Sequence, residues 1–253
     1  MTFAVSGDAY DNFMGRYSGP LAPLFADWAG VEPGQTVLDV GCGSGILTQE
    51  LADRLGPVAV SAIDPSPLVE ACMARVPEAD VRKGAAEDLP WPDGTFDAAL
   101  AQLVVHFLDD PVAGLAEMSR VVREGGVVAA CSWDFPNMQL LDTFWRSVRE
   151  VEPGAEGEKF PYSTPEGMGE LGREAGLADV ESTALDVENR YETFDELWSS
   201  FSQGVGPGGQ YLLAMPAEKQ EAVRDEYFRQ IDEPAGAFTL TASASAVRGR
   251  VPA

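Results

Sequence analysis

One nine-residue run, VLDVGCGSG at positions 37–45, constrains this chain more than any other. Val37, Leu38 and Val40 form a short apolar stretch of the kind that fills a strand buried on both faces. Three glycines follow at 41, 43 and 45, and then Ile46, Leu47, Leu51 and Leu55 recur at helical spacing. A strand that becomes a helix within so few residues needs glycine, because the turn demands backbone angles that a Cβ forbids. The strand–turn–helix unit that results is the opening of an α/β layer, and it limits the rest of the chain to partners for a parallel sheet.

The remainder supplies them. Residues 21–29 place Leu21, Leu24, Phe25 and Trp28 on one helical face, and 35–40 is the first strand. Strands are expected at 58–63, 79–83, 95–103 and 127–133. Between them, Ser66-Pro67 and Asp110-Pro111 each pair a capping side chain with a proline suited to the first helical turn. The Ser66 helix is expected to run to about residue 76. Strands alternating with helices imply right-handed crossovers and a sheet covered on both faces. The second half changes character. Helices are expected at 139–151, 165–175, 194–203 and 216–231, with a loose GVGPGGQ segment between the last two and a strand at 178–191. At 237–247, AFTLTASASAV alternates apolar with Thr and Ser, which predicts a strand with one buried and one solvated face.

A chain of 253 residues lies between one domain and two. Its 41 acidic residues against 17 basic ones give a net charge of −24. Nucleic acid and anionic lipid both require Lys and Arg to displace counterions, so neither is expected as a partner. No stretch of 18 apolar residues and no basic-then-apolar leader occurs, and the three cysteines Cys42, Cys72 and Cys131 lack metal-ligand spacing. A cytoplasmic location is expected. His106 is the one histidine in the sequence, which leaves no room for multi-histidine metal sites and makes a Ser-His-Asp triad improbable.

Which ligand the glycine turn serves is decided by its neighbours. The dinucleotide fingerprint would need glycine at 46, where this chain has Ile46, and no phosphate-binding lysine follows. Asp39 lies two residues before the first glycine, a poor neighbour for a pyrophosphate and a good one for an amino group or for the amides of its own loop. Asp64, 19 residues after Gly45, ends the second strand where an acid accepts bonds from ribose hydroxyls. GAAEDLPWPDGTFD at 84–97 is a loop at the same sheet edge, fit to frame an adenine. Asp109-Asp110 reads as a helix cap more readily than as a pair of metal ligands, and no metal is expected. His106 falls close to the sheet's switch point and carries the one side chain titrating near neutrality, so it is either a general base or a packed rim residue. Trp133, Phe135, Phe144, Trp145, Trp198, Phe201 and Tyr211 either line an acceptor pocket or, as helical spacing favours, form core.

Taken together, VLDVGCGSG, the acid in AIDPS, GAAEDLPWPDGTFD and QLVVHFLDDP before REGGVV resemble the successive motifs of class I S-adenosylmethionine-dependent methyltransferases, in the type-11 group that includes ubiquinone/menaquinone C-methyltransferases and natural-product methyltransferases. The resemblance implies a Rossmann-like α/β fold, a seven-stranded, mostly parallel sheet of order 3-2-1-4-5-7-6 with helices on both faces and added lid helices. It implies one domain over 1–253, with a cofactor-binding core at 33–135 and lid or substrate-cap segments at 1–30, 136–162 and 193–235. It implies S-adenosyl-L-methionine as cofactor, S-adenosyl-L-homocysteine as product, and methyl transfer to a small-molecule C, O or N nucleophile by a monomer or homodimer. By the same resemblance Gly41, Cys42, Gly43 and Gly45 wrap the methionine part with Asp39 beneath, and Asp64 and Pro65 meet the ribose. Ala85, Ala86 and Glu87 frame the adenine, Gln102 lies near the sulfonium, and Tyr10 and Arg16 fold over the cofactor, with Arg16 facing its carboxylate. Two other readings stay open, a cofactor-binding regulatory protein without catalysis and an NAD-dependent oxidoreductase.

Overall fold

The computed structural model describes residues 14–157, 162–204 and 206–253. The elements in chain order are α1 (Arg16–Ala29), β1 (Val37–Val40), α2 (Ile46–Leu55), β2 (Val60–Asp64), α3 (Val69–Arg75), β3 (Asp80–Lys83), β4 (Phe96–Gln102), α4 (Pro111–Val121) and β5 (Val122–Met138). There follow α5 (Gln139–Val151), α6 (Pro165–Glu174), β6 (Ala178–Tyr191), α7 (Phe194–Ser202), α8 (Gly206–Ala214), α9 (Ala217–Gln230) and β7 (Phe238–Arg250).

The seven strands form one sheet of order β3-β2-β1-β4-β5-β7-β6. β1 pairs in parallel with β2 and β4, and β4 with β5, whereas β7 runs antiparallel to both β5 and β6. This is the expected topology, with the last strand inserted between the fifth and sixth. Side chains alternate across the sheet as the pleat requires. On β5, Val127, Ala129, Cys131 and Trp133 face the core built with α1, α2, α5, α7 and α9, while Val128 and Ala130 face Leu115 and Met118 of α4 and Met168 and Leu171 of α6. Capping follows local chemistry: Asp110 accepts from the Ala113 amide at 3.0 Å, Thr164 from Gly167 at 3.1 Å and Thr193 from Glu196 at 3.1 Å.

Several expectations are corrected. The helix anticipated from Ser66-Pro67 starts at Val69, because Asp64 accepts from the Ser66 amide and Ser66 Oγ from the Leu68 amide, holding a turn ahead of it. The first helix starts at Arg16 instead of residue 21 and carries Pro20 and Pro23 within it. The fifth strand spans Val122–Met138, well beyond 127–133. GVGPGGQ is no loose connection, since α8 begins at Gly206. The final strand keeps its solvated face only at Thr239 and Thr241: from Ala242 to Val247 every residue is buried, and Ser245 Oγ donates to the Ser163 carbonyl at 3.0 Å. A central position between β5 and β6, with helices packed on both sides, overrides the polarity of its serines.

Candidate functional site

The site forms where β1, β2 and β4 end. Gly41 and Cys42 amides both donate to the Ile63 carbonyl, at 2.7 and 3.0 Å, which ties the glycine turn to the end of β2. Asp64 completes the tie: one carboxylate oxygen accepts from the Gly43 amide at 2.9 Å and the other from Ser66 at 2.7 Å. The glycines differ in what they permit. A Cβ on Gly43, at φ 53°, meets nothing within 4 Å and would stand in open space. One on Gly45, at φ 87°, would lie 2.8 Å from Cys72 Sγ and 3.0 Å from Cys72 Cα, so this glycine lets α3 approach the turn.

A cleft of about 300 Å³ opens over this turn, lined by Gly41, Gly43, Asp64, Pro65, Ser66, Leu68, Gly84, Ala85, Ala86, Glu87, Gln102, Leu103, Val104, Phe107, Leu108 and Asp109. A second, smaller cavity of about 50 Å³ lies beside it, lined by Ser18, Asp39, Gly41, Cys42, Gly43, Ser44, Ile46, Leu47, Gln102 and Leu103. The two share Gly41, Gly43, Gln102 and Leu103. Among the described residues neither lining contains a Lys, Arg or His, and together they present Asp39, Asp64, Glu87 and Asp109. Such a surface suits a neutral or cationic ligand and opposes a pyrophosphate, whose charges would face carboxylates at low dielectric. Asp39 is fully buried and accepts from Thr48 Oγ1 at 2.6 Å. Burial, aided by the Asp64 charge and opposed by the Thr48 hydrogen bond, pushes its carboxyl up to about 7.

The structure thus brings Asp39, Gly41, Cys42, Gly43, Asp64, Pro65, Ala85, Ala86, Glu87 and Gln102 together around two adjoining cavities. The Cys42 side chain packs with Ala62, Val69 and Cys72. Gly45 lines neither cavity and supports the turn from behind. Arg16, expected at a cofactor carboxylate, is ion-paired with Glu196 of α7 and lies 5.2 Å from the centre of the Tyr191 ring. Tyr10 lies outside the described residues. His106 is outside both linings, partly buried, with Nδ1 3.1 Å from Ser132 Oγ and its ring against Phe107 and Phe135. Burial pushes its pKa down to about 4. The aromatic residues Trp133, Phe144, Trp145 and Phe201 are core, with Phe144 stacked on Phe201 at 4.3 Å.

Among the lining residues that sequence reasoning missed are Ser18, Leu103 and Asp109. Leu103 has a left-handed backbone, φ 62°, which no local signal announces. Ser18 arrives on α1, remote in sequence from the turn. Of the Asp109-Asp110 pair, Asp110 is the helix cap and Asp109 borders the cleft.

These residues are compatible with S-adenosylmethionine: Gly43 leaves open space where a Cβ would stand, a buried acid ends β2, and among the described residues the lining carries no cationic side chain beside a buried carboxyl.

Comparisons with known proteins point to methyltransferases. Residues 38–130 match the model of the family described as "Methyltransferase domain". An uncharacterized methyltransferase of Mycobacterium tuberculosis is 35% identical over 127 residues, covering 50% of this chain and 49% of that protein. The chain therefore spans about half the length of that curated relative. An uncharacterized protein of the same organism is 32% identical over 201 residues, covering 74% of this chain and 70% of its own length. Among solved structures, a Haemonchus contortus phosphoethanolamine N-methyltransferase, in complex with phosphomonomethylethanolamine and S-adenosylhomocysteine, superposes with a TM-score of 0.59 at 15% identity. That alignment covers 98% of this chain and 57% of the other, and at such identity it speaks for the fold.

Proposed function

We propose, from the premise that this chain belongs to the class I S-adenosylmethionine-dependent methyltransferases of the type-11 group, that it transfers a methyl group to a small-molecule acceptor. The observation that carries the reading is the lining of the two cavities: carboxylates, hydroxyls and apolar side chains around the glycine turn, with no cationic side chain among the described residues to receive a phosphate. This favours a ligand with a sulfonium, an ammonium and a neutral nucleoside over NAD.

When bound, the cofactor supplies a methyl carbon already activated by a sulfonium. The protein's share is binding, orientation and exclusion of water. In this reading Asp64 would hold the ribose hydroxyls while keeping the Gly43 amide in place, and Ala85, Ala86 and Glu87 would border the adenine. Gly41 and Gly43 would let the chain pass close to the methionine part. Helices α1, α5, α7, α8 and α9 would form the cap around the acceptor. The −24 charge argues against a nucleic-acid acceptor.

His106 enters as a neutral imidazole. With a pKa near 4 and Nδ1 engaged by Ser132, it is a weak base, so an acceptor that is nucleophilic without strong base assistance fits the described residues best.

Calorimetry with S-adenosylhomocysteine and, separately, NADH tests the reading. The former is expected to bind and the latter not to. Asp64→Ala removes the ribose partner and two amide bonds at once, and a loss of about 100-fold in S-adenosylhomocysteine affinity is expected, on the order of two bonds to a charged group. Unchanged affinity in Asp64→Ala would overturn the assignment.

A further inference from the structure

The small cavity beside the cleft holds two polar atoms that the described residues leave unanswered. Gln102 Nε2 donates to the Ser18 carbonyl at 3.1 Å. A carbonyl only accepts, so this bond fixes the amide's orientation and turns Oε1 the other way. Gln102 Oε1 is shielded from solvent and has no hydrogen-bond partner among the described residues, and the same holds for Ser18 Oγ, on a residue 7% exposed. Both residues line the cavity, together with the buried Asp39. Buried polar groups without partners are rare in native proteins, and they commonly mark the place of a ligand or ordered water.

The chemistry of the missing partner can be read from the walls. Gln102 Oε1 and the Asp39 carboxylate accept, Ser18 Oγ is able to accept, and no Lys, Arg or His among the described residues borders the space. The occupant must therefore donate, in more than one direction, and a positive charge would be welcome. A volume of about 50 Å³ admits one small group. An ammonium meets each condition, with three donors on a single compact centre.

We propose that Ser18 Oγ and Gln102 Oε1 bind the ammonium at the amino-acid end of the cofactor, so that helix α1 contributes directly to cofactor selection. Ser18 is a residue of α1, and its carbonyl also orients Gln102 at the end of β4. Seating of that helix and capture of the ammonium are then one event. The buried Asp39 gains a counter-charge at the same moment. This inference rests on the S-adenosylmethionine reading of the cleft.

The test measures binding and not turnover. S-adenosylhomocysteine and its desamino analogue, in which hydrogen replaces the ammonium, are titrated calorimetrically into wild type, Ser18→Ala and Gln102→Met. Wild type is expected to prefer the amino ligand by about 100-fold, on the order expected for hydrogen bonds to a charged group. Each substitution is expected to reduce that preference about tenfold while leaving affinity for the desamino analogue within about twofold. If the substitutions weaken both ligands equally, or leave the preference intact, the inference is overturned while the cofactor reading stands. If wild type binds neither ligand, the cofactor reading itself falls and takes the inference with it. Should Gln102→Met fail to fold, the Ser18→Ala ratio decides alone.

Discussion

Asp39→Asn should change how the stability of this protein depends on pH. In the fold the Asp39 carboxyl is fully buried and titrates near 7, against 3.8 for an unperturbed aspartate. Between those values the native state keeps a proton that the unfolded chain has released. Stability therefore falls as pH rises through this window and levels off once the native carboxyl has ionised, above about pH 8. Asparagine is neutral throughout and still offers an oxygen to Thr48 Oγ1, which now lies 2.6 Å from the carboxylate. The advantage of Asp39→Asn over wild type should grow by about 3 kcal/mol from pH 5 to pH 8, at 1.36 kcal/mol per unit of pKa displacement. Urea unfolding of both proteins at pH 5, 6, 7 and 8 measures it, and the other carboxylates cancel in the difference. A gap that stays constant across that range, or shrinks, would refute the claim that burial holds this carboxyl protonated.

Three further outcomes follow from the same structure. His106, the one histidine in the sequence, should show no midpoint between pH 8 and pH 5 when its ring protons are followed by NMR, because burial pushes its pKa to about 4. Its neutral form then contributes stability that is present above about 6.5 and lost as pH falls towards 4, and a midpoint near 6.5 would contradict this. Gly45→Ala should cost about 2–4 kcal/mol in unfolding free energy, since it combines a positive φ with a Cβ at 2.8 Å from Cys72 Sγ, and a melting temperature equal to wild type would refute it. Tyr17→Phe should cost about 1–2 kcal/mol by leaving the buried Tyr191 hydroxyl without its partner at 3.1 Å, and the double variant with Tyr191→Phe should cost less than the sum.

Much of the sheet was legible because its determinants are local. VLDV before the glycines, the cap-and-proline pair at Asp110-Pro111 and the period-2 run at the C-terminus each declare an element from a few neighbouring residues. Boundaries were less legible wherever a side chain diverted the backbone, as Asp64 and Ser66 do ahead of α3. Among site residues, those on the glycine turn, at the end of β2 and in the 84–97 loop converge as their order implied. Arg16 did not join them, because Glu196 reaches it across 180 residues of sequence.

By itself the sequence determined a parallel α/β sheet with a glycine turn over its carboxyl edge, an acid at the end of the second strand, and a net charge of −24. These depend on residue type at short spacing, where steric and hydrogen-bonding preferences act within a few bonds. Tertiary structure alone decided three other matters. It buried both faces of β7 from Ala242 to Val247, because helices and neighbouring strands reach it from far along the chain. It lowered the basicity of His106, because desolvation depends on what packs around a ring and not on its sequence neighbours. And it set Ser18 against Gln102, 84 positions apart, so that two polar atoms face one small cavity and wait for a donor.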